Sequence, residues 1–299
     1  MRSIRLPEVR GEYRFDYDLS HLTWFKTGGK AEVFFRPLDE EDLANFLEQI
    51  EETVPINIIG NCSNMIIRDG GVHGVVIKLG KNFANILYHQ GLIYAGAGSL
   101  NWAVAKFALQ NNLSNLEFLV GIPGTIGGGI KMNAGSYGSE FKDILHSFRA
   151  IDLRGKRHEF RNSADLFSYR KCLLPENLIF LEAKFRAVNA PSDHIKIKMD
   201  EISDLRANSQ PIKEKTSGST FANPEGHKAW KLIDDAGLRG FRVGGAKFSE
   251  LHCNFMINEE NATSKDLEDL GELAIKKVRE KSGIELCWEI KRVGENAKI

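Results

Sequence analysis

The chain has 299 residues, 42% of them hydrophobic and 27% charged, and its 40 Lys+Arg balance its 40 Asp+Glu. This length supports two domains or one large one with a sizeable buried core, and the absence of net charge excludes a general basic field for nucleic acid or anionic lipid. No segment approaches the ~20 apolar residues of a membrane span, and "MRSIRLPEVRGEYRFDYDLS" at the N-terminus has no apolar core of signal-peptide type, so a cytoplasmic protein without membrane insertion is expected.

The first strand expected is "AEVFFRP" (31–37), closed by Pro37. In "DEEDLANFLEQIEE" Leu43, Phe46, Leu47 and Ile50 share one helical face. "INII" (56–59) reads as a short buried strand running into a turn at Gly60, and "GVVIKLG" and "LIYAGAG" read as further strands. "SLNWAVAKFALQNN" is a helix with Ser99 as its N-cap and Leu100, Val104, Phe107 and Ala108 along one side. A glycine-rich stretch (121–138) and two β-rich stretches (146–151 and 179–188) follow, then a helical linker near 200. The last third carries a helix around 229–236, strands in "FRVGGAKF" and "NFMI", a helix over 264–281 capped by Thr263 or Ser264, and a final strand "ELCWEIKRV". Without a regular βαβα rhythm, this order predicts an α+β fold rather than a doubly wound parallel sheet.

Three segments join glycine to small polar residues at strand ends: "IIGNCSNMIIRDGG" (58–71), "YAGAGSLN" (94–101) and "GIPGTIGGGIKMNAGSYG" (121–138). Glycine allows close backbone approach, and turn N–H groups cradle phosphate oxygens. None of the three is a standard nucleotide fingerprint: "GAGSLN" has Asn101 where a third glycine belongs, and no GxxxxGK[ST] occurs. Each alone reads as a tight turn. The third has too few core-forming side chains for an ordinary connection, and an extended dinucleotide such as FAD would use two such loops.

Taken singly, the candidate reacting groups have ordinary readings. Arg170 in "LFSYRKCLLP" is a surface arginine beside a short turn. Glu289 alternates with Trp288 and Ile290 and is solvated by default. Ser219 in "KTSGSTFANPEG" lacks a GxSxG elbow and any local His or Asp order, so it is a turn hydroxyl. His252 is a hydrogen-bonded core histidine, since no second ligand stands at metal spacing and no metal site is expected. Arg239 and Arg242 are placed either to hold a phosphate or to be solvated turn arginines. The cysteines, Cys62, Cys172, Cys253 and Cys287, form no CxxC pair and read as reduced, mostly buried thiols.

Together the segments are more specific. "GNCSNMIIRDGG", "GIPGTIGGGIKMNAGSYG", "FSYRKC", "SGSTFANP", "GGAKFSELHCNFMIN" and "WEIKRVG" appear in an order and spacing that resembles the UDP-N-acetylenolpyruvoylglucosamine reductases, flavoenzymes of peptidoglycan precursor synthesis, over nearly the whole chain. The short span between Arg170 and Ser219 matches their type II form. The resemblance implies an FAD-binding domain of the kind shared with vanillyl-alcohol oxidase and p-cresol methylhydroxylase over 1–195, in two subdomains split near 85. It implies a substrate-binding α+β domain over 196–299, and a monomer acting on a UDP-sugar and NADPH.

The resemblance further implies that Arg170, Ser219 and Glu289 are catalytic. It implies that non-covalent FAD is held by Gly60, Asn61, Cys62, Ser63 and Asn64, by Gly121, Ile122, Pro123, Gly124, Gly127 and Gly128, and by Asn133, Ala134, Gly135 and Arg170. Tyr169, Gln210, Asn223, Arg242 and His252 are implied on the substrate. In this scheme hydride passes through the flavin N5 and Ser219 gives the proton. The chain departs from the family pattern at three places: Asn61-Cys62 for a glycine-containing pair, Ser136 for alanine, and Ala222 for lysine.

Overall fold

A computed structural model describes residues 4–297. In chain order the main elements are β1 (Glu12–Asp18), β2 (Lys30–Arg36), α1 (Glu40–Gln49), β3 (Ile56–Ile59), β4 (Met65–Ile67), β5 (Val72–Lys78), β6 (Ile86–His89) and β7 (Leu92–Gly96). After α2 (Asn101–Gln110) and α3 (Ile126–Lys131) come β8 (Leu145–Asp152), β9 (Arg157–Arg161), β10 (Leu178–Arg186) and α4 (Ser192–Ser209). The chain ends with α5 (Ala229–Asp235), β11 (Arg242–Val243), β12 (Ala246–Phe248), β13 (Met256–Asn258), α6 (Ser264–Ser282) and β14 (Lys291–Val293). Helices and mainly antiparallel strands are interspersed, the expected α+β class.

Two compact units emerge, neither continuous in sequence. The first comprises the chain up to Arg14, Phe34–Asn61 and Gly74–Leu205; the second comprises Phe15–Val33, Cys62–His73 and the chain from Arg206 on. In the first unit an antiparallel sheet of order β9-β8-β10-β7-β6 carries α2 and α3. Ile93, Ala95, Phe148, Ala183 and Phe185 of the sheet pack with Val104, Ala108, Ile126 and Ile130 of the helices. Beside it β3 pairs parallel with β5, Ile56 opposite Val75. The α1 periodicity is used as expected: Leu43, Phe46 and Leu47 are buried. Asp42 also turns inward and accepts the N–H groups of Arg10, Gly11 and Leu38 (2.6–2.9 Å), fixing the chain that enters the helix.

In the second unit α6 covers the antiparallel run β11-β12-β13. Leu267, Leu270, Ala274 and Val278 meet Phe248, Met256 and Ile290 in its core. Thr263 caps α6 in a reciprocal box with Asp266, and Gly283 ends it at φ +73°. Pairing of β14 with β4 is parallel, Lys291 opposite Met65.

Two expectations need correction, and one strand was not expected. Strand β1 has no counterpart in the sequence reading. Asn101 begins α2 after Leu100, which makes no side-chain cap bond, so Ser99 is not the N-cap. Only Lys291–Val293 of "ELCWEIKRV" is regular strand. Upstream, the segment is tied by single bonds and one isolated bridge, Phe221 to Trp288.

Candidate active site

The glycine-rich loops of the first unit meet at Thr125. A Cβ on Gly60 would stand 2.8 Å from Thr125 Oγ1, which also accepts the Gly128 N–H (3.4 Å) as the cap of α3. Lys78 donates its ammonium to the Gly60 carbonyl. A short zipper holds the 121–127 loop to the chain after β7. Ile126 and Gly127 donate to the carbonyls of Ser99 and Ala97 (both 2.9 Å), and the Asn101 N–H donates to the Gly124 carbonyl (3.1 Å). Asn101 Nδ2 reaches the Ile122 carbonyl (3.2 Å). Gly124 needs its glycine at φ +116°.

These residues fit FAD. The loop offers main chain rather than side chains, and the nearest atom to a Cβ on Gly128 would be 3.6 Å away. Ser99 Oγ and Asn101 Oδ1 are buried without a partner among the described residues. Buried polar atoms of this kind are normally satisfied by water or ligand. Gly121 and Pro123 lie on the same loop, and Gly127 lies in the first turn of α3.

Asn133, Ala134 and Gly135 continue the loop toward Arg170. Fully buried at φ +38°, Asn133 donates to Glu140 Oε2 (3.1 Å) and the Ser168 carbonyl (3.0 Å) and accepts the Lys142 N–H (3.0 Å). Its side chain therefore braces the turn where Tyr169 and Arg170 join two paired strand ends, Phe167 opposite Cys172 and Ser168 opposite Lys171. Arg170 is half-buried at φ +57°, with its guanidinium carbon 5.2 Å from the centre of the Tyr169 ring. A Cβ on Gly135 would lie 3.1 Å from Arg170 Nη1. Ser136, the departure from alanine, donates to the Phe118 carbonyl (3.2 Å).

Gly129 sets how closely this loop lies on the core, because a Cβ there would fall 2.1 Å from Cζ of the buried Phe141. Gly129→Ala is expected to destabilise the protein by about 1–3 kcal/mol through overpacking and to weaken FAD retention. Chemical denaturation and flavin content check it; unchanged midpoints would mean that Phe141 yields.

In the second unit, residues 62–64 tie two other segments together. Cys62 is buried at φ +50°, a backbone conformation that favours glycine. Ser63 accepts at its carbonyl from Ser217 Oγ (2.6 Å) and the Gly218 N–H (3.1 Å). Asn64 donates its amide to the Glu289 carbonyl (3.1 Å) and accepts the Lys291 N–H (3.0 Å). Glu289 donates its N–H to the Thr220 carbonyl (2.9 Å), and Ala222 donates to Cys287 (3.0 Å). Ser219 and Glu289, both half-buried, thus ride on paired segments. Trp288 fixes the second of these: a Cβ on Gly271 of α6 would lie 2.2 Å from its ring, Arg292 covers it at 4.6 Å, and its Nε1 donates to Glu272 (3.0 Å).

Gln210 accepts from Arg206 Nε (3.4 Å). Asn223 Oδ1 accepts the Ala229 N–H (2.9 Å) at the start of α5. Arg239 forms a two-pronged pair with Asp234 (2.9 and 2.7 Å), and Arg242 pairs with Glu259 and Glu260. Among the described residues no His/Cys/Asp/Glu group is arranged to hold a metal. Cys62, Cys172 and Cys253 are buried thiols and Cys287 is exposed.

His252 Nδ1 accepts the Asn254 N–H (3.2 Å), so that nitrogen carries no proton, and burial holds the imidazole pKa below its ordinary value. The resulting stability is fully present above the unfolded value of about 6.5. As the pH falls below that, the unfolded chain protonates first, and the contribution is lost by the time the depressed folded value is passed. His252→Gln is expected to remove this acid-side slope. Denaturation midpoints between about pH 8 and pH 5 measure it, and an unaltered slope contradicts the assignment.

The sequence reading missed Ser217, Asn101, Thr125 and Asn254. No local pattern marks them: Ser217 bonds a residue 154 positions away and Asn254 one 33 away.

Family models match residues 31–161 as an FAD binding domain and 210–293 as the UDP-N-acetylenolpyruvoylglucosamine reductase C-terminal domain. The UDP-N-acetylenolpyruvoylglucosamine reductase of Rickettsia peacockii (strain Rustic) is 58% identical over 291 residues, 97% of this chain and 99% of that protein. Its counterpart in Rickettsia bellii (strain RML369-C) is 57% identical over 293 residues, 98% and 97% of the two chains. The crystal structure of the Thermus caldophilus reductase superposes with a TM-score of 0.82 at 32% identity, covering 96% of this chain and 100% of that one. With both domains matched and the glycine loops fit for FAD, the chain belongs to the UDP-N-acetylenolpyruvoylglucosamine reductase family of FAD-dependent oxidoreductases.

Proposed function

We propose that the chain reduces UDP-N-acetyl-3-O-(1-carboxyvinyl)glucosamine (UDP-GlcNAc-enolpyruvate) to UDP-N-acetylmuramate, with NADPH as reductant, Arg170 and Glu289 at the substrate carboxylate and Ser219 as proton donor. FAD, held by the glycine loops, would supply the hydride chemistry that links NADPH to the methylene carbon of the substrate. An enol ether is electron-rich and a poor hydride acceptor, so its carboxylate has to carry the incoming charge. A fixed cation and a proton donor beside that carboxylate lower the barrier most. Arg170 offers an always-charged fork; Glu289, in its protonated form, offers the donor. Ser219 then protonates the adjacent carbon as a general acid, a role that needs no triad.

The observation that carries this reading is the direct bond from the Glu289 N–H to the Thr220 carbonyl (2.9 Å), which couples the segments bearing two of the three groups. Residues 1–195 are proposed to hold FAD through the loops at 60–64, 121–128 and 133–135, and residues 196–299 to hold the substrate. Tyr169, Gln210, Asn223, Arg242 and His252 complete the substrate side. Among the described residues no helix is long and apolar enough to cross a membrane. The chain is proposed to act as a monomer on small molecules in the cytoplasm.

Anaerobic titration tests the proposal. Purified protein should be yellow, bleach with NADPH, and regain its colour only on addition of UDP-GlcNAc-enolpyruvate. Recolouring with a simple alcohol's oxidation product instead would point to an oxidase-type activity.

A further inference from the structure

The Ser219 hydroxyl is useful only if its segment is held still, and two clamps hold it. Upstream, the Ser63 carbonyl takes Ser217 Oγ and the Gly218 N–H. Downstream, one edge of residues 220–222 is bonded to Cys287, Glu289 and Ile290, and among the described residues the opposite edge is bonded to Asn254. The Asn254 carbonyl accepts the Thr220 N–H (2.7 Å). Its side chain then takes both main-chain groups of Phe221, Oδ1 accepting the N–H (3.0 Å) and Nδ2 donating to the carbonyl (2.8 Å).

Asn254 is itself 3% exposed and rigidly seated. Its N–H donates to His252 Nδ1, and the turn before it is pinned by the buried Ser249 Oγ, which accepts the N–H groups of Leu251 and His252 (3.1 and 3.2 Å). Phe255 and Ser249 close that turn through main-chain bonds of 3.0 and 2.8 Å. The side chain therefore does for the Ser219 segment what a neighbouring strand would do, with donor and acceptor on one planar amide. Aspartate offers no donor when ionised, leucine offers neither group, and glutamine is one methylene longer.

We propose that Asn254 is a positioning residue for the reduction: by holding both main-chain groups of Phe221 it sets the reach of the Ser219 hydroxyl. This rests on the proton-donor reading of Ser219. Asn254 acts through Ser219, so its removal slows only the step in which carbon is protonated. A displacement of about 1 Å at a reacting group costs on the order of 10²-fold in rate.

The test uses the FAD-loaded holoenzyme in anaerobic stopped flow, with Asn254→Leu, Asn254→Asp, Ser219→Ala and the double variant Ser219→Ala/Asn254→Leu. Expected are native flavin reduction by NADPH, flavin reoxidation by UDP-GlcNAc-enolpyruvate slowed roughly 10²-fold by Asn254→Leu, and faster amide hydrogen exchange over residues 219–222. In the Ser219→Ala background, Asn254→Leu should add nothing further, because the group it positions is gone. If Asn254→Leu loses its flavin, Asn254→Asp, which keeps the acceptor for Phe221, carries the same comparison. Equal slowing of both half-reactions, full multiplication of the two effects, or native exchange at 219–222 overturns the inference. Native reoxidation in Ser219→Ala overturns the Ser219 reading and this inference with it. Collapse in Ser219→Ala beside native rates in both Asn254 variants overturns the inference alone.

Discussion

Replacing Ser219 by alanine is expected to leave flavin reduction by NADPH nearly intact and to slow the reduction of UDP-GlcNAc-enolpyruvate by roughly 10²–10⁴-fold, the usual worth of a positioned general acid. The substitution removes one oxygen and little else. The segment keeps its bonds at Gly218, Thr220 and Ala222, and these are all main-chain groups. Glu289 keeps its bonds to Thr220 and Asn64 for the same reason. A rate loss confined to the second half-reaction therefore reports the lost proton rather than a collapsed site. Ser219→Cys sharpens the point, since a thiol with an ordinary pKa near 8.5 still carries a proton to give and should recover part of the rate. If both half-reactions slow equally in Ser219→Ala, the hydroxyl is not the donor.

Parts of the fold that rest on local rules can be read along the chain. Leu43, Phe46 and Leu47 are spaced to bury one helical face, and they do. Thr263 and Asp266 stand three apart as a capping box requires, and they cap α6. Where local signal is weak or points elsewhere, the reading fails. β1 buries almost nothing along "EYRFDYD", so no alternation marks it as a strand. Ser99 has the chemistry of an N-cap, but its carbonyl is committed to Ile126 in the glycine-loop zipper, and the helix starts two residues later. The segment 285–290 has strand composition, yet its bonds are scattered over Thr220, Ala222 and Asn64.

Ser219 has the same difficulty in stronger form. Its neighbours in sequence describe a turn, and what distinguishes it from one is contributed by Ser63, Asn254 and Glu289, each far along the chain. No periodicity or spacing rule spans such distances: the joint order of motifs pointed to Ser63 and Glu289, and nothing along the chain pointed to Asn254. The structure adds why certain side chains stand where they do. Asn133 braces the Arg170 turn from a fully buried position, and Ser136 bonds Phe118 where alanine would leave that carbonyl to other donors.

Arg170 yields the second large effect, and its sign separates function from stability. A non-glycine residue at φ +57° is strained by about 1–2 kcal/mol relative to the ordinary helical region. Glycine is the residue that such a turn position favours on backbone grounds alone. Arg170→Gly removes that strain and also loses the contacts of a half-buried guanidinium, among them the one with the Tyr169 ring, worth about 0.5–2 kcal/mol. It further adds glycine's larger loss of chain freedom on folding, roughly 0.5–1 kcal/mol. These stability terms oppose one another, so the melting temperature of the holoenzyme should fall by no more than a few degrees. The second half-reaction should nonetheless fall by roughly 10²–10³-fold, the loss typical when a fixed donor to developing charge is removed. Arg170→Lys keeps the charge but not the two-pronged geometry or the ring contact, and should lie between the two. Strain retained at a functional group is expected where the surrounding structure holds it, and here Asn133 does so through the Ser168 carbonyl. Thermal melts beside stopped-flow reoxidation decide the matter. A large drop in melting temperature with little kinetic change would make Arg170 a structural residue of the turn and remove it from the proposed reaction.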